Sequence, residues 1–402
     1  MGDGIIYLYI AMNVIISAMP ASAALPLANA SFARLPTAHA SLHARRSRRV
    51  DLVIAGPRGQ VGSALCRQLA RQQPALLSST RLDLRLLAAF DRHGLAFSLD
   101  GLDPSERARF APRQARDVGA LLDHLCRPRT EPALFVDCTA SDEVADWYPR
   151  LLAAGVGVVG ANKRANSRDL ASWRQLQACA SLRDTPYRYE TTVGAAIPLL
   201  GPLRDLRLRG EGVLGLQGLL SGSLSHVLHR VHEGCAFSAA VAEAQALGYT
   251  EPDPLEDLRA VDLARKLLVL ARECGFALEP SDIDVEPLVD AASVQSVGLA
   301  AALRAQDALW RERVAEAERA GERWVVLAEV DATGGRIAAQ PVPATSPFAS
   351  LPPGQNLVRI RTALQDSAPL VLGGPGAGPD VTAAGLLSDI VGAARELDWR
   401  HA

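Results

Sequence analysis

Four short apolar segments in the first half of the chain predict buried strands. The first runs from Val50 to Ala55 and is rich in β-branched residues, and the second runs from Leu82 to Phe90. The other two, Ala133 to Cys138 and Val156 to Gly160, are also apolar at nearly every position. Unbroken apolar runs are typical of parallel sheets that are covered on both faces. The pattern therefore predicts an α/β architecture that begins near Val50.

A helix is predicted in the second half of the chain, starting within the sequence GYTEPDPLEDLRAVDLARK at 248–266. Pro252 and Pro254 prevent an earlier start, and the acidic residues that follow suit the positive first turn of a helix. We expect this helix to run to about Glu273, with Val261 on its buried side.

The first 49 residues differ in pattern from the rest. Residues 4–30 are apolar and rich in Ala, and a basic run follows at 45–49. Polar residues and proline interrupt the apolar part before it reaches the ~18 residues of a membrane span. Ala21-Ser22-Ala23 has the form of a signal-peptide cleavage site, but the N-terminal region carries Asp3 and no basic residue. We expect a disordered leader or an over-extended gene start, with a secretory signal as the alternative.

Charge and composition exclude several classes of protein. The 402 residues include 42 basic and 44 acidic side chains, a net charge of −2, so there is no basic excess of the kind that nucleic-acid binders carry. Hydrophobic residues make up 49%, which is enough for a sizeable core, and the length of 402 residues suggests about two domains. The six cysteines show no CxxC or metal-ligand spacing, so neither a disulfide framework nor a zinc site is expected. A soluble protein of the reducing cytoplasm fits best.

A glycine-rich turn, GPRGQVG at 56–62, follows the first predicted strand and precedes an apolar helix start. Glycines in this context allow a tight turn and close approach of the backbone to a pyrophosphate at the helix N-terminus. The spacing is one residue longer than GxGxxG, and an ordinary strand-to-helix turn is the alternative. The candidate cofactor-binding residues of the turn are Gly56, Gly59, Gln60, Val61 and Gly62.

Polar residues follow each of the other three predicted strands. In doubly wound sheets, ligands bind at these strand ends. Asp91 and Arg92 end the second strand, where an acid would bind a ribose 2′-hydroxyl and an arginine a 2′-phosphate. Thr139 and Ser141 follow the third strand, and Lys163 follows the fourth. Taken alone, Lys163 can equally be a solvated loop lysine.

Asp262 and Lys266 lie four residues apart in the predicted helix, so their side chains are neighbours. Arg259 and Glu273 fall on the same stripe. Helical periodicity alone therefore also permits an ordinary exposed, ion-paired face.

Seven further motifs occur in order along the chain. They are VDCTAS at 136–141, ANKRA at 161–165, YETTVGAAIPLL at 189–200, GLLSGSLSHVL at 218–228, ARKLLVLARECG at 264–275, DIDVEPLV at 282–289 and GGPGAGPDVTAAGLLSDI at 373–390. Together they give the chain a specific resemblance to homoserine dehydrogenases, and most of all to the dehydrogenase half of bifunctional aspartokinase/homoserine dehydrogenases. The resemblance runs from about Val50 to the C-terminus, and it implies neither a kinase half nor a regulatory ACT domain here.

The resemblance implies roles for the acidic and basic residues. Lys266 matches the family's catalytic lysine, and Lys163 matches the lysine that reaches both cofactor and active site. Glu251 and Asp262 match the acids that hold the substrate's amino group, and Asp257 matches a further acid of the pocket.

Two further sites are implied in the same way. Gly376 and Gly378 match a C-terminal glycine loop that returns to the cofactor. A structural monovalent cation, Na⁺, is implied at Glu190 and the backbone carbonyls of Val193, Ala195 and Ile197.

The implied fold is a Rossmann-like nucleotide-binding domain with an α+β catalytic and dimerisation domain. We expect a leader at 1–49, a nucleotide-binding domain at 50–188, a catalytic domain at 189–345 and a return to the nucleotide-binding and dimerisation region at 346–402. The implied protein is a cytoplasmic homodimer that binds no nucleic acid or membrane and serves threonine and methionine biosynthesis.

The implied activity is NAD- or NADP-dependent interconversion of L-homoserine and L-aspartate 4-semialdehyde. Another semialdehyde reductase, or a catalytically silent relic that only binds nucleotide, are the alternatives. Departures from the family pattern motivate the second of these. Arg58 lies in the lengthened turn, Ala196 replaces a glycine, His226 replaces an aromatic residue, and Arg259-Ala260 replaces a small pair. If position 196 requires a positive φ, Ala196 would be strained by about 1 kcal/mol or more.

Overall fold

The computed structural model describes residues 47–105, 117–250 and 253–397, and within them the strands form two six-stranded sheets. The first sheet has the order β3-β2-β1-β4-β5-β6 and is parallel except for the β2–β3 hairpin. Its strands are β1 (Arg48–Ala55), β2 (Leu82–Asp91), β3 (Gly94–Phe97), β4 (Ala133–Asp137), β5 (Gly157–Gly160) and β6 (Tyr187–Arg188). All four predicted strands are confirmed with small shifts at their ends.

The apolar runs are explained by helices on both faces of the first sheet. Along β1, Leu52 and Ile54 enter one hydrophobic cluster, while Val53 and Ala55 enter the other. Each fully buried aliphatic side chain stabilises the fold by roughly 1.5–3 kcal/mol. The helices associated with this sheet are α1 (Gln60–Thr80), α2 (Val118–Cys126), α3 (Asp142–Ala145), α4 (Tyr148–Ala153) and α5 (Leu170–Ser181), with a 3₁₀ turn at Arg164–Ser167.

The second sheet is mostly antiparallel, with the order β12-β11-β7-β9-β10-β8. Its strands are β7 (Val213–Leu219), β8 (Ile283–Val285), β9 (Glu322–Asp331), β10 (Gly334–Pro343), β11 (Gln355–Thr362) and β12 (Leu370–Pro375). The helices of this half are α6 (Leu200–Leu208), α7 (Gly222–His232), α8 (Phe237–Ala246), α9 (Pro254–Leu258), α10 (Val261–Cys274), α11 (Ala291–Val297) and α12 (Leu299–Ala320), with 3₁₀ turns at Glu190–Thr192 and Pro280–Asp282.

The last helix, α13 (Pro379–Glu396), returns to the first sheet. Its Ala383, Leu386 and Ile390 are fully buried in the cluster that contains Leu52 and Ile54. The chain thus leaves the first sheet, builds the second and then completes the packing of the first.

The predicted α/β class, with a Rossmann-like half and a mixed α and β half, is confirmed. The leader expected at 1–49 lies almost entirely outside the described residues. No helix in the described part of the chain combines the length and apolar character needed to cross a membrane. All six cysteines are free thiols.

Candidate active site

A cavity of about 560 Å³ opens at the carboxyl ends of β1, β2 and β4. Adjacent strands of a parallel sheet bring their following loops to this edge, so three separate sequence signals meet here. Six of the predicted cofactor-binding residues line the cavity: Gly56, Gly59, Asp91, Arg92, Thr139 and Ser141.

The glycine-rich turn leads directly into α1. A Cβ at Gly62 would lie 2.1 Å from the carbonyl oxygen of Gly56, so the turn can close only around a glycine. Gln60, Val61 and Gly62 form the first turn of α1 and do not line the cavity. Among the described residues no side chain caps this helix, so its first N–H groups are left to bind an anion.

Asp91 is engaged by the turn. Arg58 donates from Nε to Oδ2 of Asp91 at 2.5 Å and from Nη2 to Oδ1 at 2.7 Å. Burial opposes ionisation of Asp91, but these bonds and the N–H of His93 outweigh it and lower the pKa of the carboxyl. Arg92 points its Nε to Nε2 of His93 at 3.0 Å.

The loop after β4 is organised by Asp137, which the sequence analysis missed. Its fully buried carboxylate accepts bonds from Thr139 N at 2.7 Å, Tyr148 Oη at 2.7 Å and Asn162 Nδ2 at 2.9 Å. A buried carboxylate needs such donors to avoid a large desolvation cost. The motifs VDCTAS and ANKRA were the available signal, because each places one of the partners at a strand end.

Asn162 also connects the cavity to Lys163. Its Nδ2 donates to the carbonyl of Ser141 at 2.8 Å, and the next residue extends its ammonium to Asp262, with Nζ 3.3 Å from Oδ1. A continuous path of contacts therefore leads from the cavity to the helix α10.

Lys266 meets the same carboxylate from the other side. Its Nζ lies 2.9 Å from Oδ2 of Asp262 and donates to the carbonyl of Leu220 at 2.9 Å. Burial lowers the pKa of Lys163, with Lys266 adding to the effect, while Asp262 opposes it. Burial opposes ionisation of Asp262, but the two ammonium groups outweigh it and hold the pKa of Asp262 well below its usual range. The structure thus brings together the three predicted catalytic residues.

The helix that carries Asp262 begins later than predicted. Ala260 has a left-handed φ of 52°, which separates α9 from α10. Two expectations about its faces are wrong. Val261 is exposed rather than buried, and Glu273 is buried rather than on an exposed stripe. Glu273 accepts hydrogen bonds from Oη of Tyr189, which directly follows β6, and from Nε of Arg204 on α6.

The remaining predicted substrate acids are only partly described. Asp257 is half-buried and accepts a hydrogen bond from Ser223 Oγ at 2.8 Å. Ser223 in turn lies 3.0 Å from Ser221 Oγ, at the start of α7 and beside the carbonyl that Lys266 holds. Glu251 lies outside the described residues.

The C-terminal glycines lie between β12 and α13. A Cβ at Gly376 would lie 2.1 Å from the side chain of Asn356, so the loop packs closely on β11. Gly378 directly precedes α13, which contacts α1 through a bond from Gln68 Nε2 to the carbonyl of Asp380 at 2.8 Å. Neither glycine lines the cavity.

Glu190 is bound to the N-terminus of α6. Its carboxylate accepts from the N–H groups of Leu199 at 2.6 Å, Leu200 at 2.5 Å and Gly201 at 2.9 Å. Val193, Ala195 and Ile197 are buried in the loop that joins these residues. Among the described residues no group of three or more His, Cys, Asp or Glu side chains forms a metal site.

Two family models match consecutive parts of the chain. The model for the NAD-binding domain of homoserine dehydrogenase matches residues 58–190, and the homoserine dehydrogenase model matches residues 198–391. The chain belongs to the homoserine dehydrogenase family. Members of this family are NAD(P)-dependent oxidoreductases, and the alternative of another semialdehyde reductase is not favoured.

Curated members of the homoserine dehydrogenase family align over most of this chain. The bifunctional aspartokinase/homoserine dehydrogenase 2 of Zea mays is 37% identical over 346 residues, covering 84% of this chain and 38% of that protein. The bifunctional aspartokinase/homoserine dehydrogenase 2 of Escherichia coli is 34% identical, covering 86% and 43%. The chain thus spans about two fifths of the length of these relatives.

Solved structures share the fold. A Candida auris protein of unknown function is 32% identical with a TM-score of 0.79, covering 87% of this chain and 99% of that one. A hyperthermophilic archaeal homoserine dehydrogenase in complex with NADPH has a TM-score of 0.67 and the same coverage, but only 22% identity, so it supports the fold alone.

Two departures from the homoserine dehydrogenase pattern have structural explanations. Ala196 avoids the predicted strain. Ala195, the residue before it, is among the described non-glycine residues with a positive φ, and Ala196 is not. His226 keeps an aromatic contact by stacking on Tyr249, with ring centroids 4.7 Å apart.

One signal in the sequence went unused. Lys163 and Lys266 are the only two lysines of the chain, among 42 basic residues. Arginine stays protonated in proteins, whereas a lysine can give up its proton when its surroundings lower its pKa. All remaining basic residues are arginines, so the only two side-chain ammonium groups of the chain both contact Asp262.

Proposed function

We propose that this chain is an NAD(P)-dependent homoserine dehydrogenase that interconverts L-homoserine and L-aspartate 4-semialdehyde. The observation that carries the proposal is the meeting of both lysines on Asp262, at the end of a contact path from the dinucleotide-sized cavity. Family membership supports the substrate, since the matched models and relatives bear this enzyme's name.

The residues around the cavity fit a dinucleotide. The uncapped start of α1 suits the pyrophosphate. Gly62 lets the turn lie close to the helix, because it has no Cβ to collide with the turn. Thr139 and Ser141 hold the opposite wall through Asp137 and Asn162. The bound nicotinamide supplies or accepts a hydride.

Lys266 carries the charge and proton transfer in this proposal. Reduction of the aldehyde places negative charge on its oxygen, which the ammonium of Lys266 stabilises and then protonates. In the oxidation of homoserine the same nitrogen accepts the proton. Lys163 adds a second positive charge beside Asp262, which further favours the negative charge that develops on the substrate oxygen. General acid–base assistance of this kind is worth ~10² to 10⁴ in rate.

Asp262 serves both lysines and the substrate. A carboxylate has about four lone-pair sites and each lysine contacts a different oxygen, so Asp262 retains acceptor capacity for the homoserine ammonium. Asp257, oriented by Ser223, and Glu251 complete the set of acids in this proposal.

We further propose that both cofactors are used and that NADP is favoured by a modest factor, with Arg92 near the 2′-phosphate. The proposal also includes Na⁺ bound by the carbonyls of Val193, Ala195 and Ile197 with Glu190, a homodimer and a cytoplasmic location. The six free cysteines support a reducing compartment. Light scattering should give twice the chain mass of 42.7 kDa, and replacement of Na⁺ by choline should lower the melting temperature.

The test is the appearance of reduced nicotinamide on mixing the protein with L-homoserine and each cofactor. Turnover that requires homoserine supports the proposal. Cofactor binding without turnover would instead identify a silent nucleotide-binding protein.

A further inference from the structure

The lengthened glycine turn places the guanidinium of Arg58 next to Asp91, the acid expected to bind the ribose 2′-hydroxyl of the cofactor. Arg58 occupies the third position of GPRGQVG and reaches from the loop after β1 to the end of β2. Its two nitrogens bind the two oxygens of Asp91 in a bidentate pair, and both side chains line the cavity. Their side chains are 35% and 17% exposed, so the pair lies at the cavity surface and is open to a ligand.

By itself, Asp91 would exclude a phosphorylated ribose. A carboxylate at the end of the second strand accepts a ribose 2′-hydroxyl and repels a 2′-phosphate. Here Arg58 cancels its charge, and the N–H of His93 occupies Oδ1 as well at 2.8 Å. The carboxylate thus has less capacity to accept the hydroxyl and no net charge with which to repel the phosphate.

Within the described lining of the cavity, the charged side chain next to the Arg58–Asp91 pair is basic. Arg92 contacts the imidazole of His93 rather than a carboxylate, so its charge adds to the Arg58–Asp91 pair. The cavity's other carboxylate, Glu143, lies on α3, which follows β4 and not β2. The described residues that line the ribose end of the cavity therefore carry a net positive charge.

We infer that Arg58 is a specificity-determining residue for the phosphorylated cofactor: it neutralises Asp91 and provides a guanidinium to the 2′-phosphate of NADP. A guanidinium matches phosphate as it matches carboxylate, through two parallel N–H donors, so the contact can pass from Asp91 to the ligand. The inference rests on the proposed use of NAD(P), but it concerns binding and not turnover.

The experiment measures binding of NADP⁺, NAD⁺, 2′,5′-ADP and 5′-AMP by calorimetry, without substrate. The variants are Arg58→Ala, Asp91→Ala, the double variant and Arg49→Ala. Arg49 is the matched control, because it pairs with Asp83 at 3.2 Å between the same two strands but at their opposite ends. Circular dichroism and melting temperature confirm that each variant is folded.

Arg58→Ala should raise the Kd for NADP⁺ and 2′,5′-ADP about tenfold to a hundredfold, as expected for a charged hydrogen-bond pair. The Kd for NAD⁺ and 5′-AMP should change by less than about threefold or fall, because Asp91 becomes free for the 2′-hydroxyl. In the Asp91→Ala background, loss of Arg58 should still weaken NADP⁺ binding, since the direct contact is lost.

Three results would overturn the inference. These are unchanged NADP⁺ binding in Arg58→Ala, equal losses for both cofactors, or full recovery of NADP⁺ binding in the double variant. If the unaltered protein binds neither cofactor, the proposed function itself fails, and that result is distinct from all three.

Discussion

Replacement of Lys266 by arginine separates the two roles given to this ammonium. The change keeps a positive charge next to Asp262 Oδ2 and a donor for the carbonyl of Leu220, both now 2.9 Å from Nζ. It removes the ability to release a proton, because a guanidinium stays protonated throughout the pH range in which the enzyme can be assayed. If proton transfer is the main role, arginine should be almost as harmful as alanine.

The expected loss follows from the same geometry. General acid–base assistance contributes ~10² to 10⁴ in rate, or roughly 3 to 5 kcal/mol of activation free energy. Lys266→Arg should therefore lower kcat by ~10² or more, while the Kd for the cofactor changes little, because Lys266 does not line the cavity.

Lys163→Arg is the matched control, since it changes a lysine on the same carboxylate, 3.3 Å from its other oxygen. If Lys163 acts through its charge, arginine should preserve most of that effect and lower kcat by less than about tenfold. Steady-state kinetics and fluorescence titration of the cofactor give the two quantities. Wild-type kcat in Lys266→Arg, or equal losses in both variants, would refute the division of roles.

Two further predictions concern stability. Asp389 is buried in α13 beside Glu190, and burial followed by that negative neighbour raises its pKa to about 6. A folded-state pKa above the usual 3.8 destabilises the fold above about pH 6, by roughly 3 kcal/mol, and the effect disappears as pH falls towards 4. Asp389→Asn should raise the urea midpoint at pH 8 more than at pH 5, and equal shifts at both pH values would contradict this assignment. Ala260→Gly should stabilise the protein by about 0.5–1 kcal/mol, since relief of the left-handed strain exceeds the entropy cost of glycine. The control is Ala315→Gly on the exposed face of α12, which should destabilise the protein by about 1 kcal/mol. A loss of stability in both variants would show that Ala260 is unstrained.

The sequence patterns predicted those parts of the molecule that depend on local order. The strands of the first sheet were recognisable because parallel strands are apolar throughout, and the glycine turn because it lies between a strand and a helix. The break at Ala260 was not predictable, because alanine disfavours the left-handed region and gives no signal of it.

Long-range partners were equally out of reach of local patterns. Helical spacing placed Glu273 on one stripe with Asp262, but it could not show that Tyr189 and Arg204 cover only the far end of that stripe. The same limit hid Asp137, because two of its three donors, Tyr148 and Asn162, come from other segments of the chain.

The return of α13 to the first sheet has a consequence for synthesis on the ribosome. The strands of that sheet emerge first, but the hydrophobic cluster that contains Leu52 and Ile54 is completed by Leu386 and Ile390, near the other end of the sequence. Part of this apolar face therefore stays open while the entire second sheet is being translated. A nascent chain in that state is exposed to aggregation and is a natural substrate for chaperones that shield apolar surface. A ribosome that stalls before Pro379 leaves that part of the first sheet uncovered.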